Sequence, residues 1–258
     1  MKKFSLNSGY IGIDQTQGTK GTAGIVKNFI LRKAAKITLS LGLIGNVVYD
    51  PKQSSSYPGS GPTMTSLGDL DYDATLVNGV SVDANGAFDL DGTGAYMTAD
   101  QGAELFNATT VTLEMVINPT VDSYTSGAGG RVIWSTHTAS YTNRYIFVIA
   151  PDTGQIGRLG SPAVTLNDSE GTVGGEWKVV HFTKDGTTWD IYINGIKKGT
   201  TTVTNHTDNG TLSFGQEWDS SNSSDHFLGG MGSIHIFSRK LNPSEIANRA
   251  STALQSYN

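Results

Sequence analysis

Residues 176–199 read EWKVVHFTKDGTTWDIYINGIKKG, and this stretch decides the fold. Lys178, Val180 and Phe182 alternate with Val179, His181 and Thr183, and the chain turns at Lys184-Asp185-Gly186-Thr187. A second run sets Trp189, Ile191 and Ile193 against Asp190, Tyr192 and Asn194, and ends at Asn194-Gly195. A period of two between glycine-marked turns is the pattern of a half-buried antiparallel pair. Glycine accepts a positive φ without steric cost, which lets each strand reverse tightly.

Composition extends this reading to the whole chain. Among 258 residues there are 32 glycines and only 16% charged side chains, a balance that favours an all-β sandwich over a helical bundle. The length is enough to bury a core without covalent staples. A net charge of −5 with no basic stripe argues against nucleic acid, whose phosphates need clustered Lys and Arg. Cysteine is absent, which removes disulfides, thiolate catalysis and cysteine-held zinc together. Met1-Lys2-Lys3 starts like a signal peptide, but Asn7, Ser8, Gly9 and Gly12 interrupt any apolar core behind it. The longest apolar region, residues 37–48, is broken by Thr38, Ser40 and Asn46 and is too short to span a bilayer. Neither secretion nor a membrane partner is expected.

Residues 1–36 differ from the rest. They are Gly-rich and polar up to Thr22, then bring Ile25, Val26, Phe29, Ile30 and Leu31 with Lys27, Arg32 and Lys33. Periodicity leaves this second part open between helix and strand. The arm is read either as packing on the main domain or as ordering against a neighbouring subunit. The main domain is expected over residues 37–258, opening with an amphipathic strand in which Ile37, Leu39, Leu41 and Leu43 alternate with smaller residues. Residues 53–65, rich in Ser, Gly and Pro, read as a loop. Strand signals follow at 87–92, 95–98, 111–118, 132–134, 145–149, 211–215 and 231–237. Pro119 closes the strongest of them because it cannot donate to a ladder. One helix is predicted near the end: Asn242 as N-cap, Pro243 as first residue and Glu245 three after the cap, with Ile246, Arg249, Ala250, Ala253 and Leu254 as the inner stripe.

Four of these segments, in order, resemble the laminin G-like branch of the concanavalin A-like jelly rolls. They are Phe88-Asp89-Leu90-Asp91-Gly92-Thr93-Gly94-Ala95-Tyr96; Val111 through Pro119; Trp177 through Gly195; and Leu228 through Leu241 with its exit into Pro243-Ser244-Glu245-Ile246. Met115 or Val116 stands where that family usually carries an aromatic. The resemblance implies an antiparallel β-sandwich with an N-terminal extension and one short C-terminal helix. A second resemblance rests on Tyr57-Pro58-Gly59-Ser60-Gly61, on Leu67 and Thr75-Leu76-Val77-Asn78-Gly79, and on the Gly-rich start up to Val26. It is to laminin G-like modules in structural proteins of large tailed bacteriophages. It implies a non-enzymatic virion component, a capsid decoration or another head or tail accessory. Such a protein is made in the host cytoplasm, held to other virion proteins through the arm, expected to be oligomeric, and able to adhere weakly to host-surface glycans. The alternative is a free carbohydrate-binding lectin.

The superfamily also includes glycoside hydrolases, which need two carboxyls about 5 Å apart for a retaining reaction. In its glucanase branch these lie on one strand as E-x-D-x-E. This chain offers Glu114, with Val116 and Asn118 at the following positions, so no enzyme is expected. His137, His181, His206, His226 and His235 lack zinc-site spacing, and His181 and His235 read as structural histidines within strands. Calcium takes carboxylates and carbonyls, and jelly-roll lectins of this kind bind it at the loop rim. Asp69, Asp71 and Asp73, and the pair Asp219 and Asp225, are the ligand candidates, weighed against a plain reading as solvated turn formers. Gly94-Ala95 replace the acidic pair that family members carry before the strand tyrosine. Sugar binding needs an exposed aromatic flanked by polar groups. Trp218, inside Gln216-Glu217-Trp218-Asp219-Ser220-Ser221-Asn222, is the first candidate, with Tyr124, Tyr141 and Tyr57 behind it; Trp134, Trp177 and Trp189 read as core.

Overall fold

The computed structural model describes residues 6–7, 10–11, 46–100, 102–120, 131–138, 140, 142–149, 156–158, 164–165, 175–206 and 210–257. The chain forms two compact units, residues 1–43 and 44–258. In the first, Leu6–Asn7 pairs antiparallel with Tyr10–Ile11. The strand expected over residues 37–43 lies outside the described residues, as do Tyr124 and Tyr141.

The second unit is an antiparallel sandwich. One sheet runs Ile196–Thr202, Thr188–Ile193, Lys178–Asp185, Thr110–Pro119, Leu228–Phe237, Phe88–Asp91, Ser81–Val82, and Asn46–Tyr49 also pairs with Leu228–Phe237. The other runs Val164–Thr165, Ile156–Arg158, Asn143–Ile149, Arg131–Thr138, Gly210–Phe214, Tyr96–Ala99, Ala74–Val77, Thr63–Met64. The predicted hairpin supplies the two strands just inside the edge strand Ile196–Thr202 of the first sheet. Phe182 pairs with Ile191 and Asp185 with Thr188, so Gly186-Thr187 is the tight turn, with Gly186 at φ 60°. Asn194 at φ 50° and Gly195 at φ 83° make the second turn, both in the left-handed region that a two-residue hairpin loop of this kind requires.

Between the sheets, aromatic rings fill the space. Trp134 stacks on Phe106 and on Phe147 with centroids 4.8 Å apart in both cases, and Trp189 lies 5.6 Å from Trp134. Phe88, Leu113, Met115, Val180, Phe182, Ile191, Phe214 and Ile234 complete this core, all fully buried. Trp134 and Trp189 are therefore core residues, as read from their strand positions.

The half-buried reading of the hairpin needs correction. Val179, His181 and Thr183, on the face away from the sandwich core, are all fully buried. The C-terminal helix, Pro243–Gln255, lies across that face and adds a third layer. Its start is a capping box, with Asn242 Oδ1 accepting from Glu245 N at 3.0 Å and Glu245 Oε2 accepting from Asn242 N at 2.8 Å. Ile246 joins Tyr192, Phe237 and Leu241 in one small cluster. Ala250 joins Ala87, Val116, Trp177, Val179 and Tyr257 in another, so Trp177 packs under the helix rather than within the main core.

Glycines let these rings approach the sheet. A Cβ on Gly230 would stand 2.7 Å from the Trp177 ring, and one on Gly232 would stand 2.6 Å from the Tyr257 ring. Tyr257 is held there by its hydroxyl, which accepts from Ser233 N at 2.9 Å, and by Lys52 Nζ 3.6 Å from its ring centroid.

Candidate functional site

The polar stretch around Trp218 folds as a small hairpin, Glu217–Asp219 against Asn222–Ser224, with Ser220 at φ 60° closing its turn. Trp218 is half-buried. Its ring meets Tyr96 edge-on at 6.4 Å and His137 edge-on at 5.2 Å, both residues of the second sheet. His226 lies 6.2 Å from Tyr96, and its Nε2 is 3.1 Å from Ser223 Oγ. Arg131 ties the neighbouring loops together by donating to the carbonyls of Gly92 at 3.0 Å and His226 at 2.9 Å.

Three carboxylates share this corner. Glu217 is buried and accepts from Ser224 Oγ at 2.5 Å, Asp219 is exposed, and Asp225 is half-buried at φ 49°. Burial first, then the charges of Glu217 and Asp219, push the Asp225 carboxyl up to about 6 against the opposing pull of Arg131. The corner thus combines an indole held by two rings with hydrogen-bonding groups of both kinds, which is the equipment for holding a hydroxylated ligand.

The calcium candidates do not converge. Asp69 and Asp71 are exposed along their segment, and Asp73 Oδ1 accepts from Ser66 N at 3.0 Å, a bond across the base of the loop between Met64 and Ala74. Asp91 Oδ1 accepts from the backbone of Thr93, Gly94 and Ala95 at 2.8, 2.9 and 3.0 Å, and these donors hold its carboxyl well below the usual range. Among the described residues no three His, Cys, Asp or Glu side chains gather closely enough to hold a metal ion. Tyr57 is also misplaced for sugar binding. It is 7% exposed, with its ring edge-on to Phe88 at 5.7 Å, because the serine-rich loop is folded inward by Ser56 Oγ donating to the Thr65 carbonyl.

Glu114 is enclosed beneath the helix. It is 1% exposed, accepts from Arg249 Nε at 2.6 Å and Nη2 at 2.9 Å, and accepts from His181 Nε2 at 2.9 Å. Arg249 Nη2 also donates to His235 Nδ1 at 2.9 Å, so both strand histidines are structural, as expected from their positions. Beside the far end of the helix, Asn118, Gly175, Glu176, Trp177, Lys178, Asn194 and Leu254 line a pocket of about 430 Å³. The sequence reading missed this pocket, because Trp177 looks like any other strand tryptophan.

Two facing antiparallel sheets, with an aromatic-bearing hairpin laid against one and a helix against the other, define a lectin-like jelly-roll domain. Residues 91–247 match the laminin G 3 family of the concanavalin A-like lectin/glucanases superfamily, and the chain belongs to that superfamily. No curated protein matches the chain in sequence.

Solved structures share the fold at low identity. Domain 4 of AbnA, a GH43 extracellular arabinanase from Geobacillus stearothermophilus solved with arabinotriose, is 16% identical at a TM-score of 0.56, over 79% of this chain and 97% of that one. The botulinum neurotoxin serotype D binding domain is 13% identical at 0.56, over 80% of this chain and 51% of that one. A Trypanosoma rangeli sialidase, solved with a difluorinated nononic acid, is 14% identical at 0.60, over 80% of this chain and 32% of that one. This chain thus spans about half of the neurotoxin domain and a third of the sialidase.

Proposed function

We propose that the protein is a non-catalytic glycan-binding module whose sugar contact is centred on Trp218. The observation that carries this reading is the placement of that indole. It is held between Tyr96 and His137 on a polar hairpin, with Asp219 and Asp225 beside it to accept hydroxyl protons. Fold relatives solved with arabinotriose and with sialic acid support the ligand class. The non-catalytic part rests on Glu114, whose carboxylate is committed to Arg249 and His181 under the helix and has no open cleft to act in. The test is a glycan array with the intact protein and with Trp218→Ala. Binding that disappears in the variant supports the reading, and no binding to any glycan refutes it.

A finer reading puts this module on a tailed-phage particle, as capsid decoration or as a head or tail accessory, with residues 1–36 as the attachment arm. Its support is the resemblance of the Gly-rich start to such virion proteins and the separation of residues 1–43 as a compact unit of their own. Deleting residues 1–36 should release the protein from assembled particles, whereas retention would sink the anchor. Mass spectrometry of purified virions separates this reading from a free lectin.

A further inference from the structure

We infer that the pocket beside the helix end is a second ligand site, on the opposite sheet from Trp218, for a small neutral hydroxylated molecule such as a single sugar residue. Its volume of about 430 Å³ lies within the range of small-molecule sites, roughly 300–1,000 Å³. The lining is built from rigid parts. Trp177 is wedged between Gly230, on which there is no side chain, and the Tyr257 ring 4.8 Å away. Asn194 is fixed by its left-handed turn and by its Oδ1, which accepts from Val179 N at 2.9 Å. Asn118 comes from the adjacent strand, on the same outer face as Val116.

The chemistry of the lining selects the ligand. Two carboxamides offer both donors and acceptors, as a ring of hydroxyls requires. Among the described lining residues the charges are Glu176 and Lys178, paired at 2.7 Å, so these residues bring no net charge to attract an ion. Trp177 is 9% exposed and Leu254 forms a side wall. These offer C–H groups a narrow apolar contact, and too little of the indole is open for a planar base to stack on it.

The inference stands apart from the Trp218 reading, and one experiment separates the two. The chain has four tryptophans, so the indole N–H signals in an NMR spectrum of the ¹⁵N-labelled full chain report both sites at once. The probes are L-arabinose, methyl α-D-glucopyranoside, methyl β-D-galactopyranoside and the anionic N-acetylneuraminic acid. At least one neutral sugar is expected to give a saturable shift of the Trp177 signal that survives Trp218→Ala. That shift should be lost in Leu254→Trp, which fills the pocket from the helix, and in Asn118→Val, which leaves the helix untouched. The inference is overturned if no neutral sugar moves the Trp177 signal, if the shift persists in Asn118→Val, or if N-acetylneuraminic acid shifts it more than the neutral probes do.

Discussion

Arg249 and Glu114, separated by 135 residues in the chain, form a two-point ion pair that fixes the helix to the sheet. Glu114 is fully buried, whereas a third of the Arg249 side chain reaches solvent. Removing one partner of a buried pair costs about 3–5 kcal/mol, because the other charge is left without compensation. Arg249→Ala should fall near the low end, about 3 kcal/mol, since His181 still donates to the stranded carboxylate. Urea denaturation reads this directly, and a loss under about 1 kcal/mol would show the pair to be unimportant for stability.

The same cluster predicts how stability fails in acid. Burial alone would raise the Glu114 carboxyl; the hydrogen bonds from His181 and Arg249 overcome it and hold the group at about 2, below its ordinary 4.5. A carboxylate depressed in the folded state contributes stability above its unfolded value and loses it as pH falls toward the folded one. Burial also lowers His235 from 6.5, with Glu114 opposing and Arg249 reinforcing the shift, and His181 and Asp50 complete the charges facing it. Folding therefore favours neutral His235, and stability should begin to fall as pH drops below about 6.5. Thermal melts across pH should decline in two stages, first through the histidine range and then from pH 4.5 downward. In Asp225→Asn, which removes the opposing titration of that carboxyl, a flat profile between pH 7 and pH 5 would contradict the His235 part.

Asp225 should behave in the opposite sense. Its folded value near 6 lies above the ordinary 3.8, so it binds protons more readily when folded and disfavours folding as pH rises between the two. Asp225→Asn keeps a residue type that tolerates φ 49° and removes the repulsion with Glu217 and Asp219. Stability at pH 7 should rise, by under about 1 kcal/mol because the site is partly solvated. Sugar binding at Trp218 should lose pH dependence around 6 in the same variant, read by titration calorimetry at several pH values.

The cap and the second turn give two further checks. Asn242→Ala removes the acceptor for Glu245 N and should cost about 1 kcal/mol. Gly195→Ala should cost more, since φ is 83° there and a Cβ would stand 2.9 Å from Ala247 Cα on the helix. Equal melting temperatures for the two variants would mean that the turn and the helix are less closely opposed.

Much of the fold was legible because its signals are local. Period-two alternation, Asp-Gly and Asn-Gly turns, and the Asn-Pro-x-Glu cap each declare themselves within a few residues, and each is in the structure. What escaped depends on partners far along the chain. Nothing near His181 or Glu114 announces Arg249, so the outer face of the hairpin looked half-exposed. Lys184 opens the Lys-Asp-Gly-Thr turn signal, yet it is fully buried with Nζ donating to the carbonyls of Phe106 at 2.6 Å and Ala108 at 2.9 Å. Tyr57 sits in a serine-rich loop that sequence alone assigns to solvent, and the contact that buries it, with Phe88, lies thirty-odd residues on. At Trp218 the polar neighbours did point to the surface, but not to the two rings that hold it.

Gly230 and Gly232 do more than leave room for bulk. A helix on a flat sheet could slide along it, trading one set of small contacts for a similar set. Here Tyr257, just beyond the helix, drops into the notch at Gly232 and acts as an index pin, while Trp177, from the sheet itself, fills the notch at Gly230 and stands against the Tyr257 ring. The helix layer can register on the sheet in one position only, which sets Leu254 opposite Asn118 and Asn194 and so fixes the dimensions of the pocket between them.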